Sequence, residues 1–195
     1  MGPDVSRALL AEHHELHGIV FSNKESINTT TIRSGSASVN PPISKPNIVL
    51  ILADDLGWMD LGCMGSDYYK TPHIDALAEQ GMRFRSAYSA GANCAPTRAA
   101  LMSGQSGSLT GVYTVGSGAR GKAENRQLIP PKNRTDLDGS VVTLAESLKG
   151  AGYRTGHFGK WHLGGEKTTL PQAQGFDVNI GGNHAGPPPT YFWPY

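Results

Sequence analysis

The sequence has few cysteines, almost no net charge and no long apolar run. Two cysteines among 195 residues exclude a disulfide framework and a zinc site built from cysteine alone. Lys and Arg number 17 against 16 Asp and Glu, so a net charge of +1 supplies no field that would draw the protein onto nucleic acid. No apolar stretch approaches the ~20 residues that a membrane helix needs. We therefore expect neither a nucleic-acid partner nor a transmembrane segment.

Glycine and proline are plentiful, and the composition changes along the chain. With 38 % hydrophobic and 17 % charged residues, the chain is too apolar to be disordered. Ser6 to His17 is predicted to form a short helix, and a stretch rich in Ser, Thr and Asn follows it. Glu12 interrupts the apolar residues near the N-terminus, so no signal peptide is recognised. We predict a polar extension and linker over 1–44 and a domain over 45–195.

Strands and helices alternate from Lys45 onward, which is typical of an α/β sheet with parallel character. The apolar run Ile48–Ala53 predicts a strand buried on both faces. Capping residues, glycines and apolar spacing predict the remaining elements. These are helices over 71–81, 94–104 and 143–150, and strands over 82–88 and 153–158.

Three candidate functional segments follow predicted strands. They are Asp54-Asp55, the loop before Cys94, and the segment Gly159 to Gly164. Ligands of open α/β sheets sit outside the carboxyl ends of the strands, so we expect these segments to converge on one site.

The adjacent carboxylates Asp54 and Asp55 form the first candidate. They repel each other unless a cation or hydrogen bonds compensate their charge. Hard cations such as Ca²⁺ and Mg²⁺ prefer such oxygen ligands. The pair alone leaves a metal site and a solvated loop cap equally open.

Cys94 and Arg98 form the second candidate, because Pro96 places Cys94 at the N-terminus of a helix. A helix N-terminus favours an anion, and Arg98 lies about one turn further along. Its planar guanidinium matches an oxyanion. The alternative is a buried structural cysteine with a surface arginine.

Lys160 and His162 form the third candidate. In extended geometry these two side chains point to the same side, so that a cation and a titratable imidazole face one site. The alternative is a solvated lysine beside a structural histidine.

Together these segments resemble the N-terminal part of the formylglycine-dependent, arylsulfatase-like sulfatase family. The stretch 94–104, Cys-Ala-Pro-Thr-Arg-Ala-Ala-Leu-Met-Ser-Gly, resembles the family's first signature. The second signature is matched by Gly-Tyr-Arg-Thr at 152–155 and Gly-Lys-Trp-His-Leu-Gly at 159–164. The resemblance covers the chain from about Lys45 and implies an alkaline-phosphatase-like mixed sheet with helices on both faces.

The resemblance implies a covalent mechanism centred on Cys94. A formylglycine-generating or sulfatase-maturating enzyme would convert Cys94 to Cα-formylglycine, whose hydrated aldehyde attacks sulfur. Arg98 would hold the reactive hydroxyl, Lys160 would bind sulfate oxygens, and His162 would help to release sulfate.

The resemblance also implies a divalent cation held by Asp54, Asp55 and the side chain at position 94. Calcium is the expected ion, with magnesium as the alternative. The implied substrate is an aryl or carbohydrate sulfate ester, and the implied location is periplasmic or extracellular.

The later part of the family pattern is missing from this sequence. It supplies further metal ligands, a lysine and a histidine, and no Asp-Asn or Asp-His pair follows His162. We therefore expect an N-terminal fragment that is poorly soluble and inactive alone. The alternatives are a truncated non-catalytic relative and a phosphatase or phosphodiesterase of the same superfamily. The Cys-x-Pro-x-Arg motif argues against the phosphatase.

Overall fold

A computed structural model describes residues 16–23, 45–187 and 190. Four strands form one mixed sheet in the order β2-β1-β3-β4. Strand β1 is antiparallel to both of its neighbours, whereas β3 and β4 are parallel. The strands are β1 Leu16–Asn23, β2 Ile48–Ala53, β3 Tyr153–Phe158 and β4 Val178–Ile180. The predicted α/β class with a mixed sheet is confirmed.

Four α-helices and two single 3₁₀ turns connect the strands from β2 onward. The helices are α1 Pro72–Gln80, α2 Cys94–Ser103, α3 Gly107–Thr110 and α4 Leu144–Gly150, and the 3₁₀ turns are Gly62–Met64 and Ala123–Asn125. The three helices predicted after Lys45 are thus confirmed as α1, α2 and α4. Over the described ranges, no helix has the length and apolar character needed to cross a membrane.

The N-terminal end of α4 shows why its position could be predicted locally. Thr143 Oγ1 accepts a hydrogen bond from the Glu146 backbone N–H at 3.1 Å. The Glu146 carboxylate accepts one from the Thr143 backbone N–H at 2.8 Å. This capping box satisfies two backbone donors that would otherwise lack partners at the helix end.

Strand β2 occupies the predicted residues, but the prediction that both of its faces are buried is wrong. Val49 is 57 % exposed and Ile51 is 49 % exposed on one face. Leu50, on the other face, packs against the core. The reason is topological: β2 is the outer strand of the described sheet, and its paired neighbour is the antiparallel β1 instead of a parallel strand.

The strand predicted over 82–88 is also wrong. This segment forms bends and irregular backbone, and Met82, Phe84 and Tyr88 are 80 %, 72 % and 90 % exposed. The alternation of residue types gives the segment two faces, but a strand exists only when a neighbour completes its hydrogen bonds. None of the described residues pairs with 82–88 in a sheet.

Residues 16–23, within the predicted N-terminal extension, form a strand of the sheet. Most of the helix predicted from Ser6 to His17 lies outside the described residues, and its last two residues belong to β1. The backbone of β1 pairs with β2 from Leu16 to Phe21 and with β3 from Gly18 to Asn23. The domain boundary at Lys45 stays a prediction.

The core lies beside β3 and α2, where it can fix the segments that follow them. Trp161 is 2 % exposed and donates its indole N–H to the Thr169 carbonyl at 2.8 Å. Its ring packs edge-to-face on His157 and Phe176, with ring centroids 5.2 and 5.9 Å away. The residue between Lys160 and His162 is therefore anchored in the core, which limits how far either neighbour can move.

Candidate active site

The N-terminus of α2 carries Cys94 and is held by the loop before it. Asn93 is the extended residue that precedes the helix, and its carbonyl accepts the first helical hydrogen bond from Thr97 N–H at 3.3 Å. The Thr97 hydroxyl donates to the Gly91 carbonyl at 2.9 Å. A Cβ on Gly91 would lie 2.8 Å from Pro96 Cβ, so the loop can approach the helix only because residue 91 is glycine.

The buried face of α2 directs Arg98 into the protein. Ala95, Ala99 and Met102 recur at helical spacing and are at most 3 % exposed, and Arg98 shares their face at 6 % exposed. The Arg98 guanidinium donates Nη1–H to the Lys160 backbone carbonyl at 2.5 Å. This bond ties the helix of Cys94 to the segment that carries Lys160 and His162.

A buried group of three charges lies at the centre of the site. Lys160 Nζ donates to Asp54 Oδ2, and Arg98 Nη2 lies 3.8 Å from Asp54 Oδ1. The side chains of Asp54, Lys160 and Arg98 are 11 %, 8 % and 7 % exposed. One carboxylate thus compensates two cations away from bulk water, where the loss of a partner is costly.

The three predicted metal ligands, Asp54, Asp55 and Cys94, lie close together beside Lys160. Lys160 Nζ donates to Cys94 Sγ at 3.2 Å. One ligand atom each of Asp54, Asp55 and Cys94 lies within 4.8 Å of the others. Two carboxylate oxygens at this spacing suit a hard divalent cation.

His162 completes the group in an unusual backbone conformation. Its φ is +60°, and the only other non-glycine residue with positive φ in the described ranges is Asp55, at +56°. The premise that Lys160 and His162 share extended geometry is therefore wrong at His162. Positive φ is a cost that the surrounding structure must offset, and such residues concentrate at functional sites.

The opposite charges of Asp54 and Lys160 favour the ionised form of each group. Burial opposes ionisation of Asp54, but the hydrogen bond and charge of Lys160 and the charge of Arg98 outweigh it, so the pKa of Asp54 lies below its usual value. Burial likewise opposes the charged form of Lys160, yet its hydrogen bonds to Asp54 and Cys94 prevail and raise its pKa.

The pKa of His162 is lowered, first by burial and then by the positive charges of Lys160 and Arg98. The imidazole is therefore neutral near pH 7. A neutral ring has one nitrogen that donates a hydrogen bond and one that accepts, so it can take up a proton as a general base and, once protonated, return it as a general acid.

The family profile described as Sulfatase matches residues 46–193 of this sequence. The chain belongs to the sulfatase family. The match includes every candidate residue of the site and begins after β1.

Individual sulfatases agree with this assignment. A protein named Sulfatase from Formosa agariphila is 46 % identical over 145 residues, which is 70 % of this chain and 26 % of that relative. The N-acetylgalactosamine-6-sulfatase of Sus scrofa is 39 % identical over 150 residues, covering 77 % of this chain and 27 % of the relative. The N-acetylgalactosamine-6-O-sulfatase of Bacteroides thetaiotaomicron is 42 % identical over 146 residues, covering 70 % and 26 %.

A solved structure is also similar. The crystal structure of Ps i-CgsB in complex with k-i-k-neocarrahexaose matches with a TM-score of 0.52 and 33 % sequence identity, covering 66 % of this chain and 27 % of that one. The sulfatase segment described here thus spans about a quarter of the length of the curated relatives it matches.

The structure brings the predicted site residues of this sulfatase together. Lys160 contacts both Asp54 and Cys94, although these partners are 106 and 66 residues away in the sequence. The expected convergence of the three segments is confirmed. The catalytic and metal-binding roles of these residues stay predictions.

A hydrogen-bond network behind Cys94 was not predicted. Asn93 Nδ2 donates to Thr114 Oγ1 at 3.2 Å. The side-chain oxygen Asn133 Oδ1 accepts from the Thr114 backbone N–H at 3.1 Å, and Asn133 Nδ2 donates to the Thr114 backbone carbonyl at 2.8 Å. No local sequence pattern predicts this pairing, because Asn133 is 19 residues from Thr114 and resembles an ordinary loop residue.

The lowered pKa of His162 predicts that stability falls in mild acid. The folded pKa lies below the unfolded value of about 6.5, so between the two values the unfolded chain binds more protons. The contribution of the neutral His162 to the free energy of unfolding is therefore complete above about pH 6.5. It is lost as the pH falls toward the folded pKa.

Urea unfolding of the wild type and of His162→Asn at about pH 7 and about pH 5 tests this prediction. Asparagine tolerates positive φ, so the variant keeps the backbone. The wild type should lose more unfolding free energy on acidification than the variant. Equal losses would contradict the prediction.

Proposed function

We propose that this chain is the nucleophile-bearing part of a sulfate ester hydrolase, with Cys94 as the precursor of the nucleophile. The observation that carries the proposal is the meeting of Cys94 Sγ, Lys160 Nζ and the Asp54 carboxylate at the N-terminus of α2. Conversion of Cys94 to formylglycine would supply a hydroxyl nucleophile there, and a maturation enzyme is the partner that this conversion requires.

The surrounding residues suit a sulfate ester. Lys160 Nζ, 3.2 Å from Sγ, would donate to an oxygen at that position and offset the charge of a bound sulfate. Arg98 holds the Lys160 backbone through its carbonyl, which keeps the ammonium aimed at the site. The neutral His162 would accept a proton from an oxygen at the site, or donate a hydrogen bond to it.

A divalent cation is part of the proposal, and the donor set fits one. Asp54 and Asp55 would hold it together with the side chain at position 94, since their ligand atoms lie within 4.8 Å of one another. Calcium is proposed, with magnesium as the alternative, because both prefer carboxylate oxygens. When bound, the cation would polarise the sulfate group.

The proposed substrate class is a sulfated carbohydrate. Two relatives are named for the removal of sulfate from N-acetylgalactosamine, and the similar solved structure is a complex with neocarrahexaose. An aryl sulfate is the alternative, supported by a relative named arylsulfatase G from Homo sapiens that is 42 % identical over 137 residues.

Mass spectrometry of the chain co-expressed with a formylglycine-generating enzyme tests the proposal. Trypsin releases the peptide from Ser86 to Arg98, and we expect an aldehyde at Cys94. Cys63 is the matched control, since no Pro-x-Arg follows it, and should remain a thiol. A thiol at both positions would contradict the proposed nucleophile. Release of phosphate but not sulfate from matched esters, in the protein that carries this chain, would favour the phosphatase alternative.

A further inference from the structure

The turn over 181–186 lies directly against His162. The His162 backbone N–H donates to the Asn183 carbonyl at 3.1 Å. A Cβ placed on Gly186 would lie 2.8 Å from His162 Cε1 and 3.2 Å from each ring nitrogen. A heavy atom that close cannot be accommodated, so the imidazole occupies space that any other residue at 186 would fill.

The backbone of Gly186 does not itself require glycine. Ten described glycines have positive φ, and Gly186 is not among them. An alanine at 186 would therefore meet no backbone strain, and the three heavy atoms nearest to its methyl group would all belong to the ring of His162.

His162 depends on packing for its orientation. Its Nδ1 is buried and has no hydrogen-bond partner among the described residues. Its positive φ is a strained conformation that needs support from outside the residue. Backbone contact with Asn183 and the flat surface at Gly186 supply that support.

Hydrogen bonds connect the start of this turn to the rest of the site. Gly182 N–H donates to Asn179 Oδ1 at 3.1 Å, and Asn179 Nδ2 donates to the Gly182 carbonyl at 2.9 Å. Gly159 N–H donates to the Ile180 carbonyl at 2.8 Å, which joins the end of β4 to the segment just before Lys160. These bonds join the start of the turn to β4 and to the segment that carries Lys160 and His162.

We propose that Gly186 is a positioning residue, which seats the imidazole of His162 in the site through direct contact with its ring. The proposal concerns the same site as the proposed function and rests on it for the role of His162. The contact itself does not depend on Cys94 conversion or on a bound cation.

The ring signals of His162 in ¹H–¹³C NMR spectra of the 195-residue chain test the proposal. Gly186→Ala should shift the His162 ring signals, whereas the signals of His73 on α1, outside the turn, should stay in place. Gly150→Ala is the matched control, because its methyl group enters open space at the end of α4 and should leave His162 unchanged. Unchanged His162 signals in Gly186→Ala would overturn the proposal.

A double-mutant cycle covers the case in which Gly186→Ala folds poorly. Gly186→Ala should lower the melting temperature of the wild type but not that of His162→Ala, because the ring it displaces is then missing. An equal loss in both backgrounds, or failure of the double variant to fold where His162→Ala folds, would overturn the proposal. Neither readout involves sulfate, so a failure here is distinct from a failure of the proposed function.

Discussion

Replacing Asp54 by asparagine is expected to lower the free energy of unfolding by about 3–5 kcal/mol. Asp54 is the carboxylate that faces both Lys160 and Arg98, and all three side chains are at most 11 % exposed. Asparagine keeps the shape and can accept one hydrogen bond, but it supplies no charge. Two cations then remain buried side by side, so their desolvation and mutual repulsion are no longer compensated.

Urea unfolding in a buffer with chelator, followed by circular dichroism, measures this loss. Asp55→Asn is the matched control: Asp55 is the adjacent carboxylate, it is exposed, and asparagine tolerates its positive φ. The control should change stability by no more than about 0.5 kcal/mol. Similar losses in the two variants would contradict the buried ion group.

The effect of Asp54 should also depend on pH. The folded pKa of Asp54 is lowered, so its carboxylate contributes fully to the free energy of unfolding above the unfolded pKa of about 3.9. That contribution is lost as the pH falls through the folded pKa. The difference in stability between the wild type and Asp54→Asn should therefore narrow below about pH 4. A difference that persists unchanged in acid would point to packing instead of charge.

Replacing Trp161 by alanine is expected to lower the free energy of unfolding by about 3–5 kcal/mol. The side chain is 2 % exposed and packs against the rings of His157 and Phe176, so its removal leaves a cavity in the core. The Thr169 carbonyl also loses its donor. Because Trp161 lies between Lys160 and His162 in the sequence, the cavity adjoins the segment that carries both site residues.

Two comparisons in urea unfolding define the origin of this loss. Trp58→Ala removes the same side chain from a position that is 72 % exposed and should cost no more than about 0.5 kcal/mol. Trp161→Phe keeps an aromatic ring but removes the N–H donor, and should retain part of the stability. Equal losses for Trp58→Ala and Trp161→Ala would contradict the assigned core.

Features encoded by neighbouring residues could be predicted from the sequence. Pro96 in the first turn located α2, and apolar residues at helical spacing followed by glycine located α4, because both signals are local. The convergence of Asp54 and Lys160 also followed, since each comes after a predicted strand that the structure confirms. Cys94 joins them, but the strand predicted before its loop, over 82–88, is wrong, so its position did not follow from this rule.

Features that depend on a distant partner could not be predicted. The alternation at 82–88 resembles that of a strand, but nothing within the segment says whether a neighbour pairs with it. The exposure of Val49 depends on the position of β2 in the sheet, and β1 lies in a region whose composition is typical of a linker. The positive φ of His162 occurs at a residue that hydrogen-bonds to Asn183, 21 residues away, so no local pattern predicts it.

The position of β1 also determines when the sheet can be completed. Along the chain β1 comes first, but its second neighbour, β3, comes after α2 and α4. During synthesis β1 can pair with β2 early, whereas it can pair with β3 only after the chain has been made through β3. Closing so long a loop is entropically unfavourable and slows folding. The step that joins β1 to β3 is therefore expected to govern the folding rate of this chain.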